Sequence, residues 1–255
     1  TKQPRNSRAW NNRGQVYSKM DSHDEAISDY TEAIRLNARN AEAHDNRGIS
    51  YGHKGDLDKA IHDFTRAIEL KGNEPDTYFN RGLTHGRKGH LDEAIHDFTR
   101  AIELEPNNAQ FHDLRGLTHR KKGNFDKAFG DFNRAIELDK DYAEAHNNRG
   151  FAHAQNRNLD KAIRDFSRAI ELDPDYVKAY YNRAATYGNK GNLDNAIRDY
   201  SRAIELDPNY AIAYSGRSMA YFGKRDDVRA WADVTKAQAL GAKVDPRFIA
   251  ALRES

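Results

Sequence analysis

Residues 143–176 read AEAHNNRGFAHAQNRNLDKAIRDFSRAIELDPDY, and residues 177–210 restate them as VKAYYNRAATYGNKGNLDNAIRDYSRAIELDPNY. An Arg followed by a small residue, an Asp followed by an aromatic, two alanines and a proline return at the same offsets. Stepping outward by 34 residues gives five further copies, at 7–40, 41–74, 75–108, 109–142 and 211–244. A period between 20 and 50 residues is the mark of a solenoid or array. Each unit is too short to bury a core alone and borrows one from its neighbours, so the array offers a long surface and binding is the expected role. Residues 1–6 end in Pro4-Arg5-Asn6 and read as the tail of a further repeat upstream. Residues 245–255 read as a capping helix whose apolar face is Phe248, Ile249 and Leu252.

Composition narrows the class. A mean hydropathy of −0.98 would by itself suggest disorder, but apolar residues held in register through seven units override it. The net charge of +2 gives no electrostatic case for nucleic acid or an anionic membrane. No apolar run approaches the ~20 residues that span a bilayer, and no signal peptide is visible. Without cysteine there is no disulfide or thiol chemistry. The compartment stays open, with a soluble cytoplasmic location slightly preferred over a periplasmic or secreted one.

Each unit reads as two helices. In 41–74, AEAHDNRGISYGHK is followed by Gly55-Asp56 and then LDKAIHDFTRAIEL. The glycine closes the first helix in the left-handed conformation, and Asp58 suits the dipole at the start of the second. Ala60, Phe64, Ala67 and Ile68 form one buried stripe. Pro106, Pro174 and Pro208 end the second helices.

These residues resemble the tetratricopeptide repeat. Residues 143–176 carry its pattern as His146, Arg149-Gly150, His153, Ala162, Phe166, Ala169 and Pro174, and the resemblance runs through 7–244. It implies an all-α, right-handed superhelical α-solenoid with the first helix of each pair on the concave wall. One departure is constant. Arg13, Arg47, Arg81, Arg115, Arg149, Arg183 and Arg217 stand where the family commonly has Leu, and Asp29, Asp63, Asp97, Asp131, Asp165, Asp199 and Asp233 precede the second-helix core site. An Arg–Asp bridge between the paired helices is the main expectation, with Arg reaching a ligand as the alternative.

One place before that Arg lie Asn12, Asn46, Asn80, Asn148 and Asn182, a series broken by Leu114 and Gly216. An amide matches one peptide unit of an extended chain with a donor and an acceptor. Packed helices ~8–10 Å apart correspond to about three extended residues at ~3.3 Å each. The glycosyltransferases that attach O-linked N-acetylglucosamine have similar asparagine ladders. Local packing is the competing role. Ile49, Leu83, Leu117 and Phe151 form an apolar strip beside the ladder, Phe79 and Tyr181 are candidate aromatic anchors, and Arg87 and Lys121 offer cations at the basic end. Acids early and bases late in a helix also follow from the dipole alone. Family members that grip the C-terminal carboxylate of chaperones resemble one another in Lys, Asn, Asn, Lys and Arg. The matching places here are Asn11, Gln15, Asn46, Asp76 and Asn80, which lack the cations.

Eleven histidines invite a metal reading. His112 and His119, or His146 and His153, share helix faces but stand where other units have Trp or Tyr, so packing is the expected role. No close zinc-type His pair, phosphate loop or nucleophile motif occurs. The sequence therefore predicts no catalytic activity, no metal and no cofactor. It predicts a protein-interaction scaffold that binds an extended peptide or partner segment in its concave groove. The substrate-recognition arm of a larger enzyme, such as a glycosyltransferase, and a self-assembling scaffold are the alternatives.

Overall fold

The computed structural model describes residues 6–254, so residues 1–5 of the expected upstream tail and Ser255 lie outside the described residues. Among the described residues the regular structure is helical, with no strand. The chain divides into two units, Thr1–Leu138 and Asp139–Ser255. The first contains α1 (Ser7–Lys19), α2 (His23–Leu36), α3 (Ala41–Lys54), α4 (Leu57–Leu70), α5 (Pro75–Lys88), α6 (Leu91–Leu104), α7 (Ala109–Lys121) and α8 (Phe125–Leu138). The second contains α9 (Ala143–Gln155), α10 (Leu159–Leu172), α11 (Val177–Asn189), α12 (Leu193–Leu206), α13 (Ala211–Gly223), α14 (Asp227–Ala239) and α15 (Pro246–Glu254).

The stripe on each even-numbered helix makes the core. Ala60, Phe64 and Ala67 of α4, and their equivalents Ala94, Phe98 and Ala101 of α6, are at most 3% exposed. Each odd-numbered helix packs on the even one after it, which in turn packs on the next odd helix of its unit. The odd helices also touch side by side, α1 to α3 to α5 in the first unit and α9 to α11 to α13 in the second. Within each unit the result is a wall of odd helices on a layer of even ones. Close approach within a pair depends on a missing side chain: a Cβ on Gly82 would lie 2.9 Å from the Phe98 ring, and one on Gly150 2.9 Å from Phe166.

The break between paired helices uses a left-handed residue. Gly55 adopts φ 83°, and the same place is taken without glycine by Asp21 at 55°, Arg157 at 61° and Arg225 at 63°. That conformation costs an L side chain ~1–2 kcal/mol. The closing bond survives all the same. Asn158 N–H donates to His153 O at 2.8 Å, as Asp56 N–H does to Tyr51 O at 2.9 Å. At the far end of the second unit, α15 sets Phe248 edge-on to Phe222 at 5.5 Å and buries Leu252.

Candidate functional site

The invariant charges are consumed by the architecture. Arg81 of α5 donates from Nε and Nη2 to the two carboxylate oxygens of Asp97 on α6, at 2.8 and 2.7 Å. The same fork joins Arg13 to Asp29, Arg47 to Asp63, Arg115 to Asp131, Arg149 to Asp165, Arg183 to Asp199 and Arg217 to Asp233. The third guanidinium nitrogen reaches back to the preceding even helix. Arg47 Nη1 donates to Thr31 Oγ1, Arg81 to Thr65, Arg115 to Thr99, Arg183 to Ser167 and Arg217 to Ser201, at 2.9–3.1 Å. One arginine thereby ties three helices, and a planar fork fits this where lysine would not. The Asp63 carboxyl is buried, which alone would raise its pKa. Bonds from Arg47 and His44 outweigh that and hold it below the ordinary value, and Asp131 and Asp165 behave alike.

A second set of bridges crosses between repeats at the end of the odd helices. Lys54 pairs with Asp24, Lys88 with Asp58 and Lys122 with Asp92 in the first unit, and Lys190 with Asp160 and Lys224 with Asp194 in the second. These lysines are engaged within the protein. Lys19, Arg87 and Lys121 are exposed toward the ends of odd helices in the first unit, and Arg87 spends Nη1 on Gly52 O at 2.8 Å.

Histidine fills aromatic places. His44, His112 and His146 are buried at the offset of Trp10, Tyr78 and Tyr214, and burial lowers the pKa of His85, His119 and His153. No group of three or more His, Asp or Glu is placed to hold a metal ion among the described residues.

The asparagines sit on the wall in different states. Asn12 is exposed, while Asn46, Asn80, Asn148 and Asn182 are half-buried. Asn46 Nδ2 donates to Asn11 Oδ1 at 3.1 Å, and Asn182 Nδ2 to Asn147 Oδ1 at 2.9 Å. Asn11 and Gln15 in turn donate to Glu42 at 3.1 and 2.9 Å. The ladder therefore has lateral rungs across repeats, in which Asn46 and Asn182 use Nδ2 as the donor.

Between neighbouring odd helices of the first unit lie two equivalent cavities. One, of about 260 Å³, is lined by Gln15, Lys19, Asn46 and Ile49 over Tyr30. The other, of about 230 Å³, joins Ile49, Asn80, Leu83 and Arg87 over Phe64. Four of the sequence candidates thus meet in one place and two in the other. Leu117 is half-buried on α7, Lys121 is exposed at its end, and Phe151 on α9 is 37% exposed. Phe79 and Tyr181 are half-buried and make ring contacts with neighbouring helices. Phe79 lies 5.8 Å from Phe98 and 4.9 Å from Phe111, and Tyr181 lies 5.7 Å from Tyr200 and 5.5 Å from Tyr210.

Two features have surroundings that the sequence alone did not reveal. The first is Asp45 on α3, in a cavity of about 320 Å³ with Glu42, Glu74 and Asp76. Its Oδ1 has no hydrogen-bond partner. Burial, reinforced by those acids and opposed by the Thr77 hydroxyl, pushes its pKa up to about 6. A carboxylate whose folded pKa lies above its unfolded value stabilises below the unfolded value and loses that stability as pH rises through about 6. Asp45→Asn is therefore expected to stabilise the protein by about 1–2 kcal/mol at pH 7.5 and to confer progressively less as pH falls to 5. Urea melts at both pH values check this, and equal shifts at the two would refute it.

The second is Tyr200. A Cβ on Gly216 would lie 2.5 Å from the Tyr200 ring and 2.7 Å from its hydroxyl. The ring thus occupies the place where five of the other repeats have the ladder Asn. In the preceding helix the close-approach glycine is Ala184, whose Cβ excludes the ring from the position Phe98 takes over Gly82. The break at Gly216 is a compensation for Ala184 and Tyr200. Its only sequence signal was that two departures occur in consecutive repeats.

The tetratricopeptide repeat model matches 7–40, 75–108, 143–176 and 177–210, and a second TPR repeat model matches 51–89 and 116–156. No curated protein matches the chain significantly. A tetratricopeptide repeat protein from Parabacteroides merdae ATCC 43184 is similar in structure over 96% of both chains, with TM-score 0.77 and 20% identity. YrrB, a TPR protein with an unusual peptide-binding site, is 27% identical, with TM-score 0.57 over 72% of this chain and 95% of its own. MamA is 30% identical, with TM-score 0.57 over 62% of this chain and 93% of its own.

Proposed function

Because the chain belongs to the tetratricopeptide repeat family, we propose that it is a non-catalytic interaction scaffold that holds an extended segment of a partner protein along the wall of odd helices. The observation that carries this reading is the recurrence of one cavity design between α1 and α3 and again between α3 and α5. Each has an aromatic floor, an aliphatic side and a ladder asparagine at its rim. Repeated sites at repeat spacing suit a ligand that is itself periodic, and an extended chain is the simplest such ligand. The likeness to YrrB, with its peptide-binding site, supports the reading. No helix among the described residues is long and apolar enough to cross a membrane.

The test is a peptide-array screen with the parent and the Asn46→Ala, Asn80→Ala, Asn148→Ala triple variant. At ~0.5–1.5 kcal/mol for each hydrogen bond, the triple variant is expected to bind its best peptides at least tenfold more weakly. Unchanged affinity in a variant with normal helicity would remove the ladder from the site.

A further inference from the structure

The two equivalent cavities of the first unit are contiguous, since Ile49 lines both. Each also carries a cation on the same flank, Lys19 in the first and Arg87 in the second. The opposite flank is acidic. Glu42 is held there by Asn11 and Gln15, with Asp45 and Asp76 beside it. The wall of the first unit is therefore an apolar track with one basic and one acidic border.

Building on the groove reading above, we infer that this track takes an extended acidic segment with apolar residues three positions apart. One apolar side chain fills each cavity, and a carboxylate next to it meets Lys19 or Arg87. The spacing follows from neighbouring odd helices ~8–10 Å apart and an extended rise of ~3.3 Å per residue. The charge follows from which cations are uncommitted. Lys54 and Lys88 are paired with Asp24 and Asp58, respectively, across repeats, whereas Lys19 is exposed and Arg87 spends a single nitrogen on Gly52. A guanidinium retains further donors suited to a carboxylate. The acidic border repels the same segment on the other flank and so fixes which side its carboxylates face. In the second unit the places equivalent to Lys19 and Arg87 are Gln155, Asn189 and Gly223, so the charge preference is a property of the first unit.

Fluorescence anisotropy with labelled synthetic peptides tests this on the full chain. The reference peptide has two leucines three residues apart, each followed by aspartate, in a Gly-Ser background. It is expected to bind, and to weaken about tenfold, or 1.4 kcal/mol, when the leucines are moved to two or four residues apart and when both aspartates become lysines. Lys19→Glu, on an exposed side chain, and Ile49→Ser are expected to weaken it similarly while leaving the thermal melt in place. Indifference to spacing and charge overturns the inference, as does failure of the reference peptide to bind. A random peptide library panned in parallel separates the two levels. Selected peptides that depend on Ile49 but show neither the spacing nor the acids would retain the groove and discard this ligand class. Selected peptides that ignore Ile49 would discard both.

Discussion

Arg81→Met is expected to destabilise the first unit by about 3–5 kcal/mol, the cost of removing one partner from a buried ion pair. Asp97 is 1% exposed, so its carboxylate would lose both forked bonds without gaining water. The Thr65 hydroxyl would lose its donor at the same time. The double variant Arg81→Met, Asp97→Leu is expected to recover most of the loss, because replacing both charges removes the buried orphan along with the bridge. Thr65→Val should cost only ~1 kcal/mol, the worth of one neutral hydrogen bond. Stacked repeats unfold by nearest-neighbour coupling, so native-state hydrogen exchange on α4, α5 and α6 is a better measure than a single melting midpoint. An Arg81→Met variant within 1 kcal/mol of the parent would show that the three-helix tie is dispensable.

Gly216→Asn, which restores the ladder residue on α13, is expected to destabilise the second unit by about 3 kcal/mol, at the upper end for overpacking a filled site. Its Cβ would fall 2.5 Å from the Tyr200 ring, and Tyr200 is only 5% exposed with little room to withdraw. Adding Tyr200→Phe and Ala184→Gly lets the ring return to the place Phe98 occupies over Gly82. The triple variant should therefore be more stable than Gly216→Asn alone, even though a glycine within a helix itself costs ~0.5–1 kcal/mol. Additive effects of the three substitutions in a denaturant cycle would sink the compensation argument.

The extent to which the site was legible followed sequence separation. The Arg–Asp fork joins residues 16 apart within one unit and could be expected from the two constant columns. The lysine bridges join residues 30 apart, and the asparagine rungs 35 apart. The lysine and acid columns recur in most units and the asparagines in several, but which unit supplies which partner depends on how the helices align. Phe79 and Tyr181 illustrate the limit from the other side. Aromatics at a wall position suit a ligand as well as a neighbouring repeat, and only the structure shows the ring contacts they make to the neighbour. Asp45 is ordinary as a letter, since an acid early in a helix suits the dipole. Burial among three other acids makes it costly, and burial is not a local property.

The sequence by itself determined the period, the helix pairs and the buried Ala–aromatic–Ala stripe, because each is a pattern of offsets within 34 residues that any copy repeats. Only the tertiary structure decided which polar groups were already engaged. The arginines and most of the late lysines are tied into the stack, while Lys19, Arg87 and the cavities around Ile49 face outward. The physical reason is that a charge or an amide carries the same letter whether it is satisfied or open. The distinction depends on the neighbouring repeat, which lies a full period away in sequence and a helix width away in space.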